Sequence, residues 1–255
     1  MNENNIFKFS TNKSVLFRKT FLSIKNILTD VNITVCKKGL NIMALDTLTE
    51  TLLVDLKMEN NKFIYFETQE DLTFGINMPC FCNLIKSVGI GDILTLSVNK
   101  KNINKLNIKI TNVKKGCSSL FKLNMIEVNN ITIQAPDIKF KNSISVENSI
   151  INKICKNMSH INEYVNIKYL NKKLIMKCEG DYAEQTSIIG SQDDDEKYYE
   201  DNKGNNFKIC NILLFSRCCD NNNNITIYIK NNYPLIMSYE IPGLGNLKLA
   251  IAPVV

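Results

Sequence analysis

One histidine, His160, serves all 255 residues of this chain. That scarcity excludes most histidine chemistry. The nearest thiol before it is Cys155, five residues earlier in ICKNMSHIN. On a helix those five residues turn the chain by about 500°, so the two side chains point roughly 140° apart and form no nucleophile–base pair. The cysteines offer no metal cage either, because Cys80–Cys82 and Cys218–Cys219 lack a C-x-x-C partner and nearby histidines. No apolar run approaches the ~18 residues of a membrane span. The opening MNENNIFKF lacks the charged, apolar and cleavage regions of a signal peptide. There is no Walker loop, and the short GIG (89–91) and GLG (243–245) fit turns. Asp193–Glu196 reads as a solvated acidic loop rather than a metal site. These absences predict no catalytic residue, no metal and no cofactor. Nine cysteines, an odd number without regular spacing, predict reduced thiols in an intracellular compartment, mostly buried as small apolar residues.

Another absence is positional. Four stretches read as helices: 14–28, 78–88, 149–160 and 207–219. Together they hold Arg18, Lys19, Lys25, Lys86, Lys153, Lys156, Lys208 and Arg217, and not one Asp or Glu. Windows making up a fifth of the chain would hold about five of its 25 acids by chance. On the third helix Lys153, Lys156 and His160 share a face, with Ile150, Ile151, Ile154, Cys155 and Met158 opposite. Four helices of one sign lining one surface would repel each other unless an anionic partner sat between them. No aromatic residues interleave as stacking platforms, so the expected partner is duplex phosphate, bound without sequence preference. The net charge of +6 is a weaker hint, since the abundance of Asn, Lys and Ile also fits a genomic base bias.

Most of the remaining chain alternates apolar and polar residues at period two, as in ILTLSV (93–98), LNIKIT (106–111) and ITIYIK (225–230). The two halves look alike. Helix one is followed by VNITVCKKGLNIM (31–43) and helix three by VNIKYLNKKLIM (165–176), with Leu40 and Leu174 each nine residues after the Val. DILTL after helix two matches NITIYI after helix four at a similar offset. The pattern suggests an internal duplication of helix, strands, helix, strands. The fold class is therefore α+β, two similar domains with helices gathered on one side of antiparallel sheet. The predicted boundaries are 1–123 and 140–255, joined by an extended linker over 124–139 in which Pro136 disfavours helix. The polar, acidic stretch 191–206 reads as a loop.

In order and spacing, four segments resemble the proliferating cell nuclear antigen family of DNA sliding clamps: GLNIMALD (39–46), FGINMPCFCNLIKSVGIGDILTL (74–96), INKICKNMSHINEYVNI (151–167) and YPLIMSYEIPGLGNLKLAIAP (233–253). The resemblance implies two similar domains per chain in a head-to-tail homotrimer, helices lining a channel for double-stranded DNA and sheets outside. It implies a processivity factor that tethers DNA polymerase and other clients, is set in place by a clamp loader, contacts no membrane and does no chemistry. Arg18, Lys19, Lys25, Lys86, Lys153, Lys156 and Arg217 fall where the family places basic channel residues; Asn83, where relatives often carry Lys, is neutral. His160 matches the histidine of the family's Ser-His-Ile segment.

The resemblance also implies an apolar client pocket formed by Leu45, Leu53, Ile131, Ile133, Pro234 and Ala252. Ala250 and Val254 depart from the Tyr and Lys that relatives usually carry there, and the linker is about two residues longer, which implies a modified client motif. Ring closure would use edge strands, with 105–112 and 182–189 as candidates. The implied location is the nucleus or a viral replication site. Two alternatives remain at this point: one subunit of a checkpoint-type heterotrimeric clamp, and a monomeric DNA-binding processivity factor without a ring.

Overall fold

The computed structural model describes residues 4–46, 50–129, 140, 142–190, 204–230 and 233–254. The chain folds into two compact units. One is built from Met1–Glu50, Val54–Gln134 and Glu240–Leu247, the other from Thr51–Leu53, Ala135–Tyr239 and Lys248–Val255. The first unit carries β1 (Asn5–Thr11), α1 (Ser14–Ile24), β2 (Asp30–Cys36), β3 (Gly39–Leu45), most of β4 (Leu52–Glu59), β5 (Tyr65–Thr68), β6 (Leu72–Asn77), α2 (Met78–Ile85), β7 (Ile93–Asn99), β8 (Asn102–Asn112) and β9 (Cys117–Asn124). The second carries β10 (Ser143–Glu147), α3 (Asn148–Met158), β11 (Tyr164–Leu170), β12 (Lys173–Glu179), β13 (Glu184–Ile189), β14 (Asn205–Lys208), α4 (Ile209–Cys218), β15 (Asn224–Tyr228), and most of β16 (Leu235–Ile241) and β17 (Gly245–Ile251). The fold is α+β with antiparallel pairing.

In the first unit the strands run β5-β1-β7-β8-β9 in one sheet and β4-β3-β2-β6 in another. In the second unit the orders are β13-β12-β11-β14 and β10-β15-β16-β17. Strict alternation sets the faces: Leu94, Leu96 and Val98 of β7 are buried while the residues between them are half-buried. The matching Val-Asn-Ile segments become matching hairpins. Cys36 pairs with Gly39 and Leu170 with Lys173, each across a two-residue turn. The second turn places Asn171 and Lys172 at φ 50° and 65°, the positive angles of a type I′ turn.

The helices are shorter than their apolar period suggests. The first ends at Ile24, although Ile27 and Leu28 stay buried and their amides donate to the Ile24 carbonyl. The fourth starts at Ile209 because Phe207 and Lys208 pair with Val165 and Tyr164 as a strand, so β14 replaces both the expected helix start and the end of the expected loop. The rest of that loop, 191–203, lies outside the described residues. The second helix starts as read, with Pro79 in its first turn and the Asn77 side chain accepting from the Cys80 amide at 3.0 Å.

The thiols depart from expectation. Cys82, Cys155, Cys178 and Cys219 are buried, Cys36 and Cys218 are half-buried, and Cys80, Cys117 and Cys210 are exposed on α2, β9 and α4. Strand 105–112 also departs. It lies within β8, which pairs with β7 on one side and β9 on the other, so the free edge belongs to β9. The chain turns back at 113–116 and lays β9 along the whole of 105–112, which covers that edge. In the second unit β13 is an edge.

Candidate nucleic-acid interface

The cations are organised by the helix pairs. In the second unit α3 buries Asn148, Ile151, Cys155 and Met158, which turns Lys153, Lys156 and Asn157 outward, all exposed. Lys153 and Lys156 line one hollow of about 240 Å³ with Ser149, Asn152, Asn157 and Asn221. The hollow is held open by polar ties between the helices. The Asn148 side chain donates through Nδ2 to the Ser216 and Cys219 carbonyls at 2.9 and 3.2 Å, and the Asn152 side chain donates to the Ser216 hydroxyl at 2.7 Å. Arg217 follows on α4 and is exposed.

In the first unit the tie between helices is aromatic. Phe17 and Phe21 of α1 stack at 4.5 Å, and Phe21 meets Phe81 of α2 edge-on at 5.1 Å. Lys19 and Lys86 are exposed and Lys25 is half-buried. Arg18 does something that its place in a basic stripe did not announce. Its Nη1 donates to the Lys86 carbonyl at 3.3 Å and to the Val88 carbonyl, closing the C-terminal end of α2.

Helix electrostatics account for part of this pattern. A cation ends every helix: Lys25 and Lys86 cap α1 and α2, while Lys156 and Arg217 lie in the last turns of α3 and α4. Each such cation favours the helix dipole by ~0.3–1 kcal/mol. The same dipole favours carboxylates in first turns, and none of the four has one. Lys19 and Lys153 lie away from the C-terminal turns. The one-sided charge therefore exceeds what the dipole calls for.

His160 lies past the end of α3 and is exposed, whereas Cys155 is fully buried, and that burial pushes its thiol up to about 12. A neutral, buried thiol facing away from the imidazole makes no nucleophile.

The anticipated client residues are placed unevenly. Leu45 ends β3 in the first unit, while Leu53, Pro234 and Ala252 belong to the second; all four are half-buried. In the second unit the Ala252 amide donates to the Thr51 carbonyl at 2.9 Å, which lays the tail beside the start of β4. Val254 continues onto β14, its amide donating to Asn206 at 2.8 Å. Ile131 and Ile133 lie outside the described residues. The start of the expected linker is described and docked. The Ile126 amide donates to Gly75 of β6 at 2.9 Å, and the Asn32 side chain donates to Val128 at 3.0 Å. Gly75 permits this approach, since a Cβ there would lie 2.3 Å from the Ile126 carbonyl oxygen. Sequence alone offered only a glycine inside a strand as the signal.

Comparison with known proteins agrees with the architecture. Residues 6–132 match the family model of the proliferating cell nuclear antigen N-terminal domain, and residues 134–254 match that of its C-terminal domain. A probable DNA polymerase sliding clamp of Paramecium bursaria Chlorella virus 1 is 26% identical over 99% of this chain and 98% of its own length. One from Acanthamoeba polyphaga mimivirus is 24% identical over 85% of this chain and 47% of that longer protein. The crystal structure of the antigen from Entamoeba histolytica superposes with a TM-score of 0.84 at 18% identity, covering 98% of this chain and all of that one. Two domain models spanning nearly the whole sequence, in the order of its two folded units, make this chain a member of the proliferating cell nuclear antigen family.

Proposed function

We propose that this chain is a DNA sliding clamp: a homotrimeric ring that encircles duplex DNA and tethers DNA polymerase and other clients, with no chemistry of its own. The observation that carries the reading is the acid-free set of helices. Lys19, Lys25, Lys86, Lys153, Lys156 and Arg217 meet phosphates, and Arg18 braces α2 among them. Contacts of this kind are weak singly and indifferent to sequence, which suits sliding. Ring closure pairs the edge of β9 with the edge of β13 in a neighbouring copy, supported by the place of both at the end of a sheet. The units act as two clamp domains, 1–123 and 140–255, joined by a client-binding linker over 124–139. Leu45, Leu53, Ile131, Ile133, Pro234 and Ala252 anchor client motifs, a clamp loader opens the ring, and the site of action is the nucleus or a viral replication compartment.

The deciding experiment is native mass with retention on DNA. The expected result is three chains per particle, held on closed circular duplex after loading and lost when the circle is cut. A monomer, or equal retention on linear DNA, overturns the reading.

A further inference from the structure

The helices are not the only acid-free region. From Ile93 to Asn124 the chain carries seven lysines, at 100, 101, 105, 109, 114, 115 and 122, and no Asp or Glu. At the average acid density of the chain, about three acids belong there. This run is β7, β8 and β9, and the adjoining β1 is also free of acids.

The sheet register gathers these charges on one side. Leu94, Leu96, Leu106 and Ile108 point into the core, so their neighbours point out. Lys8, Ser97, Asn107 and Lys122 then form one outward row across four strands, flanked by Lys109 in the row on one side and Lys105 in the row on the other. Beside the β7–β8 turn the surface dips into a hollow of about 190 Å³ lined by Asn99, Lys101, Asn102, Lys105, Asn107 and Lys122. Among the described residues one carboxylate pairs into the row: Glu67 on β5, opposite Lys8, whose oxygen already accepts from the Tyr65 hydroxyl.

We propose that this outward face of β1-β7-β8-β9 is a second binding surface for the phosphate backbone of duplex DNA, with the hollow at Lys101, Lys105 and Lys122 as its strongest point. It is separate from α1, which packs on the inner side of the sheet, where Phe9 of β1 meets Phe17 at 5.7 Å. Ammonium and amide groups are the side chains that contact phosphates. Across these rows the face shows a single large apolar side chain, Leu120 beside Lys109, which is too little for the apolar centre from which a protein–protein contact draws its strength. The ring of Tyr65 lies under Lys8, whose Nζ is 5.3 Å from its centroid, so it is no stacking platform for single-stranded bases. Duplex backbone is the polyanion that remains.

The test uses a covalently closed duplex minicircle and the full-length protein without a loader, so that no DNA can thread a closed ring. The wild type should bind the minicircle at low salt. K101E/K105E/K122E should bind at least about tenfold more weakly, with a slope of log affinity against log salt shallower by ~0.9 for each phosphate no longer neutralised. The neutral K101Q/K105Q/K122Q should also weaken binding, which guards against a loss caused by misfolding. K248E, altered at an exposed position of β17 in the second unit, should bind the minicircle as the wild type does. Unchanged binding by both triple variants overturns the proposal, as does an equal loss in K248E or no binding by the wild type. Binding of polyglutamate in place of the minicircle would assign the face to an acidic protein and overturn it too. Native mass of the triple variants reads ring assembly separately, so failure of this proposal leaves the ring reading intact.

Discussion

Arg18 of α1 donates to the backbone carbonyl of Val88, three residues beyond the end of α2. A residue that a charge map would give to DNA thus also joins two helices. Arg18→Ala should cost ~1–3 kcal/mol of stability, the usual range for a charged hydrogen bond removed from a half-buried site. Lys19→Ala, one residue on and exposed, should cost less than ~0.5 kcal/mol. Denaturant midpoints of the two variants check this. Equal midpoints would return Arg18 to a purely electrostatic role.

Asp92 makes the fold acid-sensitive. Its carboxylate accepts from the Gly89 amide at 2.7 Å and the Asn112 side chain at 2.6 Å. Those two bonds, in that order, hold its pKa below the ordinary carboxylate value. A carboxylate depressed in the folded state contributes stability that is fully present above its unfolded pKa of ~3.9 and is lost as pH falls through the lower folded value. Asp92→Asn should therefore be less stable at neutral pH and show a flatter stability profile below about pH 5. Acid titration followed by circular dichroism measures both.

Gly75 sets how closely the start of the linker lies on β6. Gly75→Ala introduces a methyl into a 2.3 Å gap to the Ile126 carbonyl oxygen. The expected outcome is release of 125–128 with the sheets intact, seen as faster hydrogen exchange at the Ile126 amide. Exchange equal to wild type would mean that β6 yields instead.

Lys172 occupies a positive-φ position that glycine fills at no steric cost. Lys172→Gly should stabilise the second unit by up to ~1 kcal/mol, read as a higher denaturant midpoint at unchanged slope.

Lys153→Glu with Lys156→Glu should abolish retention on loaded circular DNA without changing the unfolding midpoint, since both side chains are exposed. Sedimentation with and without DNA checks this. Retention at wild-type levels would remove α3 from the DNA-binding surface.

Much of this molecule was legible in its sequence because alternation and helical period report burial directly. The Val-Asn-Ile repeats announced a duplication, and the acid-free helices announced a charged surface. Three features were hidden for physical reasons. The edge role of β9 depends on strand order, which alternation does not encode. The start of α4 was masked because Phe207 and Ile209 are buried equally well by strand and by helix. The bond from Arg18 to α2 joins residues 70 apart, and local spacing carries no trace of it. The basic β7–β9 sheet was countable from the start, but only the register shows that its lysines share a side.

Apart from the Arg18 bond at the end of α2, the two helix pairs are fastened by different chemistry: ring against ring between α1 and α2, side-chain amide to carbonyl and hydroxyl between α3 and α4. A greasy joint tolerates exchange of one bulky side chain for another of similar volume at modest cost. A joint of buried donors does not, because losing one partner strands the other without water. Over generations the first half can therefore drift in its interior spelling, while Asn152 and Ser216, joined side chain to side chain, must change together or stay as they are.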